Sequence, residues 1–386
     1  MKICLILVGL FLTSLGFSQS VYQDSSATAN NQQNAAQTIL NTTLSRGITV
    51  GGYAQIDYNQ PEGLNGNLDV HRLVMLFGYK FNDRVQFVTE IEYEHVKEVY
   101  IEQAFLSYNV NPNLNIRGGL MLVPMGIVNE YHEPTTFNGV ERPNVDKSIV
   151  PSTWREIGIG VTGKFNEISL AYQAYLFNGF ASVINDKVLG GSNGLRNGRQ
   201  KGAESTINSP NFSTKIDYYG IPGLRLGISG YFGRSQAEDE VDQLEGTDVG
   251  ISMLGLDARY RNKRISARGQ YIHALIKDAD AYNVRYETNL GSELKGWYAE
   301  LAYNLIPLGK EQRLDAFLRY EAYDTHAATL DAGIDRDLSY NRDEWTFGLS
   351  YHVAPGAVVK GDYQILGDAQ SEDSKGQLNF GIGVWF

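Results

Sequence analysis

Basic residues recur in this chain beside apolar neighbours, at Arg72, Lys80, Arg117, Lys164, Lys215, Arg225, Arg259, Arg268 and Arg319. Acidic residues do the same at Asp57, Glu90, Glu92, Glu94, Glu156, Asp217, Asp257, Asp315 and Glu321. Spaced in this way, they share one face of extended backbone, because successive side chains of a strand point to opposite sides. A wet face carrying both signs of charge polarises water, rejects apolar solutes and sets ion preference through rings of charge. A second group lies in the segment PMGIVNEYHEPTTFNGVERPNVDKSIVPSTWR, which carries Glu130, His132, Glu133, Glu141, Arg142, Asp146, Lys147 and Arg155 interspersed with Pro134, Pro143 and Pro151. A loop this long is functional or disordered, and its apolar content argues against disorder. Folded inward, it would narrow any passage it entered, and those eight residues would line the narrowing. Covalent chemistry finds little support. His132-Glu133 is half of a zinc-protease motif, but the second histidine of HExxH is missing, and no P-loop occurs; the GxSxG string at Gly190–Gly194 lies within a long connection rather than at a strand-to-helix turn. No metal, cofactor or catalytic residue is expected.

The elements that position these charges are strands. The chain ends KGQLNFGIGVWF, where Leu378, Phe380, Ile382, Val384 and Phe386 alternate with Gln377, Asn379, Gly381 and Gly383. Similar alternation gives about sixteen strands of the length a tilted membrane crossing needs. They fall near 47–58, 68–81, 84–95, 98–109, 113–123, 155–165, 167–178, 210–219, 223–234, 248–261, 264–275, 294–305, 311–323, 343–353, 357–367 and 375–386. Connections after even-numbered strands are short, such as FNDR, NVNPN, RNKR and APGA. Those after odd-numbered strands are mostly long and polar. That sorting predicts an all-β transmembrane antiparallel barrel with long extracellular loops and the third loop, 124–154, folded into the lumen. An Arg or Lys on the lipid face at mid-bilayer costs about 2–4 kcal/mol, so the register is chosen that turns charges inward. Trp297, Trp345, Tyr351 and Phe386 then lie near strand ends, at the membrane interfaces.

Residues 1–18 read as a signal peptide: Lys2 is followed by a ten-residue apolar run, with Gly16 and Ser18 before the cut. Residues 19–46 are rich in Gln, Asn, Ser, Thr and Ala and read as a flexible periplasmic segment; Ile39, Leu40 and Leu44 offer at most a short docking helix. Residues 47–386 form the barrel. The only cysteine is Cys4, so disulfides are excluded from the mature chain. A net charge of −11 argues against nucleic acid as a partner. The acidic loop AEDEVDQLE reads as solvated.

The run GLMLVPMGIVNEYHEPTTFNGVERP, followed by PSTWREIGIGVTGKF, resembles the phosphate-selective porin O and P family of Gram-negative outer membranes. The resemblance implies a sixteen-stranded barrel, commonly trimeric, with its third loop inside. Anion-selective members use a ladder of arginines and a cluster of lysines. In this chain Arg72, Arg117, Arg259, Arg268 and Arg319 are the ladder candidates, while the loop has only Arg142, Lys147 and Arg155 against four carboxylates. The expected function is passive diffusion of small hydrophilic solutes or ions, including anions such as phosphate. The expected partners are outer-membrane lipid, the barrel-assembly machinery at the C-terminal strand, and two further copies of the chain. The alternatives are an outer-membrane enzyme of phospholipase type, which would need a Ser/His pair on the outer face, and a closed barrel that binds a ligand.

Overall fold

A computed structural model describes residues 34–42, 46–237 and 244–386. The expected signal peptide and most of the acidic loop lie outside the described residues. The strands are β1 (Gly47–Pro61), β2 (Asn67–Lys80), β3 (Val85–Glu94), β4 (Glu98–Asn111), β5 (Leu114–Leu122), β6 (Arg155–Phe165) and β7 (Leu170–Phe177). After a small hairpin, β8 (Val183–Ile184) and β9 (Lys187–Val188), come β10 (Asn211–Ile221), β11 (Leu224–Arg234), β12 (Gly250–Asn262) and β13 (Ile265–Lys277). The last five are β14 (Glu293–Asn304), β15 (Arg313–Ala328), β16 (Asn341–Ala354), β17 (Ala357–Asp368) and β18 (Lys375–Trp385). β8 and β9 pair only with each other; the other sixteen close into an antiparallel barrel in which each strand neighbours the next in sequence.

Closure is made by β1 against β18, from Tyr53 opposite Trp385 to Pro61 opposite Gln377. It removes the sheet edge that lipid could not hydrogen-bond. Pro61, which has no N–H to give, ends β1 where a missing ladder bond costs least. Along β14 buried and exposed residues alternate almost without break. Trp297, Leu301 and Tyr303 face outward, and Tyr298, Glu300 and Ala302 face inward. Of the charged residues assigned to the inner face, Arg72, Lys215, Arg319, Glu90, Glu156 and Glu321 are among those buried, whereas Lys164 is exposed. Trp297 and Trp345 are each the fifth residue of their strands, at matching depth near the long-loop end. Tyr320 bridges them with ring centroids 5.4 and 4.7 Å away. Tyr351 and Phe386 sit toward the opposite, short-turn end.

One part of the N-terminal segment departs from the flexible chain expected there. Ala35–Thr42 is a helix, with the Asn34 side chain accepting from the Gln37 amide at 2.9 Å as an N-cap. Its Ala35, Ala36 and Ile39 are buried. The helix lies inside the barrel at the short-turn end, where Gln86 of β3 donates to the Leu40 carbonyl at 3.1 Å and Arg117 of β5 reaches Gln37 at 3.3 Å. Gly51 makes room: a Cβ there would stand 3.3 Å from the Ile39 side chain and 3.1 Å from the Phe386 carbonyl oxygen. Polar composition suggested disorder, but three small or branched apolar residues on one helical face suffice when a wall is already in place.

Candidate pore constriction and mouth

The segment between β5 and β6 turns into the lumen at once. Met125, Ile127, Val128, Val140, Val145, Ile149 and Val150 are buried, because they pack against the inner wall and one another rather than facing solvent. Gly126, at φ +69°, takes the left-handed turn that starts the entry, and its missing side chain leaves space for the Gln270 amide.

Backbone groups of this segment bond to the wall in nearly every sector. On β13, Gln270 accepts from the Ile127 amide at 2.6 Å. On β17, Asp362 accepts from the Val140 amide at 2.6 Å, and Lys360 donates to the carbonyls of Phe137 and Gly139 at 2.8 and 2.7 Å. On β15, Glu321 accepts from the Val145 amide at 3.1 Å. On β2, Arg72 donates to the His132 carbonyl at 2.6 Å, and on β10 Lys215 donates to that of Gly126. An irregular loop inside a barrel must find partners for its N–H and C=O groups, and polar inner-wall side chains supply them. The inner wall at mid-height is correspondingly covered: Arg72, Glu102, Lys215, Arg319, Thr346 and Asn379 are all buried.

The eight loop positions expected to line one narrowing are therefore distributed around the wall. Glu130 meets Gln173 at 2.7 Å and Lys215 at 3.3 Å. Glu141 accepts from Asn59 at 2.6 Å. Glu133 accepts from the Ala35 amide of the lumen helix. Asp146 accepts from Gln270 at 2.9 Å, and burial, partly offset by that bond, lifts its carboxyl to about 6. His132 sits against β1, β3 and β4, where Tyr53, Glu90 and Glu102 surround it. These five are struts that hold the loop. Their spacing in sequence could not reveal which wall each would reach.

The inner-face cations are mostly matched as well. Arg72 lies 4.0 Å from Glu92, Arg259 3.3 Å from Asp217, Arg268 3.0 Å from Glu300, Arg319 3.2 Å from Glu321, and Asp315 is held by Arg313 at 2.6 Å. Arg117 instead spends its charge on Gln37 and the Phe105 ring.

A different set is unmatched. Arg142, Arg155, Arg196, Arg199 and Lys201 have no carboxylate within ion-pair distance among the described residues, and neither has the exposed Lys147. Arg155 and Lys201 stand over the Tyr100 ring at 5.8 and 5.0 Å. Arg196 donates to the Ser152 carbonyl at 2.6 Å, and Arg199 to those of Pro151 and Thr153 at 3.1 Å, so the loop after β7 clamps the inserted segment. Burial and the neighbouring guanidiniums lower Lys201 to about 8 and pull Arg199 well below its usual range. Burial and Arg72 bring Arg142 to about 10. Arg196, Arg199 and Lys201 carry no strand alternation, so the sequence offered no signal for them.

An uncharacterized protein of Aquifex aeolicus (strain VF5) is 33% identical over 343 residues, which cover 83% of this chain and 76% of that protein. This chain belongs to the family of that Aquifex protein. No family model matches it. Among solved structures, the outer membrane channel DcaP of Acinetobacter baumannii is similar with a TM-score of 0.58 at 12% identity, over 88% of this chain and 97% of that one. The trimer form of OmpT, an outer membrane protein of Vibrio cholerae, gives 0.57 at 12% over 88% and 99%. An anion-selective porin from Comamonas acidovorans gives 0.55 at 13% over 88% and 99%. At such identities the likeness is one of fold, and the fold of this member of the Aquifex family is that of outer-membrane porins.

Proposed function

We propose that this protein is an outer-membrane porin whose passage is narrow and favours small hydrophilic anions at its outer mouth. The observation that carries the reading is the unmatched cluster Arg142, Arg155, Arg196, Arg199 and Lys201, above a lumen whose arginines are largely paired. A low-dielectric rim with excess positive charge concentrates anions and excludes cations. The porin fold supports the channel reading, and the Comamonas neighbour is an anion-selective porin. On this reading the first eighteen residues direct export, the barrel sits in outer-membrane lipid as a homotrimer, and the strand ending at Phe386 is read by the assembly machinery. Phosphate is one anion to try beside chloride.

The test is the reversal potential of the refolded chain across a planar bilayer under a potassium chloride gradient. The wild type is expected to prefer chloride. R142E together with K201E should shift the preference toward potassium, and an unchanged potential would sink the assignment of the mouth.

A second reading is favoured by one observation, the covering of the inner wall from both ends by 124–154 and by Ala35–Thr42. Such a barrel would hold a ligand at its mouth without conducting. Solute flux into liposomes separates the two: swelling in a permeant sugar requires a pore.

A further inference from the structure

His132 is the one imidazole on the inserted segment, and its surroundings differ from those of the other struts. Its Nδ1 lies 3.1 Å from the Asn129 carbonyl, which takes an N–H and leaves Nε2 with its lone pair toward the wall. Facing Nε2 are Tyr53 Oη at 2.9 Å, Glu102 Oε2 at 3.3 Å and Glu90 Oε1 at 3.9 Å. Tyr53 Oη is 2.7 Å from Glu90 Oε1 and 3.2 Å from Glu102 Oε2. These five spacings among the four donor atoms run from 2.7 to 3.9 Å, and the ligand atoms of Glu90, Glu102 and His132 all lie within 4.8 Å of one another. Tetrahedral ligands about 2.0–2.1 Å from a zinc-class ion stand roughly 3.3 Å from one another.

Two further features point to a ligand. Glu102 is wholly buried, and its Oε1 has no hydrogen-bond partner. A buried carboxylate left in that state costs more than an ordinary lost hydrogen bond unless a positive group meets it. The support expected around metal ligands is also present: the Asn129 carbonyl orients the imidazole, and Gln103 Nε2 holds the second oxygen of Glu90 at 2.7 Å.

We propose that Glu90, Glu102 and His132, with the Tyr53 phenol oxygen, bind one divalent transition-metal ion and so pin the inserted segment to β1, β3 and β4. Imidazole with two carboxylates suits zinc, cobalt, nickel or iron; calcium and magnesium demand more oxygen donors than these four. Because the ligands come from the wall and from the loop, the ion would fix the position of the loop in the lumen.

Cobalt is the probe, since tetrahedral Co²⁺ absorbs visible light far more strongly than the hydrated ion. The full chain is refolded in detergent with CoCl₂ and desalted, and metal is counted by mass spectrometry. The wild type should retain about one cobalt per chain with the tetrahedral spectrum, and zinc should displace it. E102Q and H132Q, judged folded by heat-modifiable migration, should lose it, and Q103L should weaken retention by about 10–100-fold. A protonated imidazole bridging the two glutamates would occupy the same geometry. In that case the wild type emerges without cobalt, and the proposal fails. It fails equally if E102Q and H132Q keep the spectrum. The wild-type result decides even where a variant does not fold.

Discussion

Lys360 shows what a single residue does in this lumen. Its ammonium stands 3.9 Å from the centre of the Phe137 ring and holds two loop carbonyls. K360M removes both bonds and leaves buried acceptors, so the folded barrel should lose about 1–3 kcal/mol in urea unfolding, with noisier single-channel current. Lys201 carries a pH prediction. With its ammonium brought down to about 8, its charge is present at pH 7 and gone by pH 9. Anion preference measured by reversal potential should therefore fall between pH 7 and 9 in the wild type, and K201Q should start lower and change less. Alternation told which side chains face inward, as at Arg72, Arg268 and Arg319. It missed Glu102 for an identifiable reason. The register between β3 and β4 slips so that Glu90 pairs with Gln103 and Ile91 with Ile101, which leaves Glu102 as an extra residue. At this β-bulge Glu102 and Gln103 both turn inward, and no count of two could place them.

At the scale of elements, two pieces stand in the lumen and would govern passage on the proposed reading: the segment 124–154 and the helix Ala35–Thr42. Deletion of 130–150 should raise single-channel conductance, because among the described residues it is this segment that the wall residues Arg72, Lys215, Gln270, Glu321, Lys360 and Asp362 hold inside the lumen. Deletion of 34–42 should raise it to a smaller extent, since the helix covers only the short-turn end beside β1, β3 and β5. Unchanged conductance in either deletion would mean that the element does not stand in the path. The inserted loop was legible from its length, its prolines and its apolar residues. The helix was only hinted at by Ile39 and Leu40, because its face of Ala35, Ala36 and Ile39 gains burial from β1, β2, β3 and the inserted loop, which lie elsewhere in the chain.

For the whole molecule, the outer face exposes apolar side chains such as Phe347 and Leu349, which suits the lipid setting proposed above. F347R, on the lipid face of β16, should destabilise the barrel by about 2–4 kcal/mol in unfolding from lipid vesicles, whereas a polar substitution at the neighbouring inward Thr346 escapes that lipid penalty. The sequence alone determined the sixteen strands, the even count that lets them close, and the direction of side chains outside the bulges, since these follow from the two-residue period of extended backbone. Only the tertiary structure decided what fills the interior, which charges cancel and which stay unmatched at the mouth. Those outcomes depend on distances between residues far apart in the chain. Glu130 finds Lys215 and Asp146 finds Gln270 only once the barrel has closed around the loop.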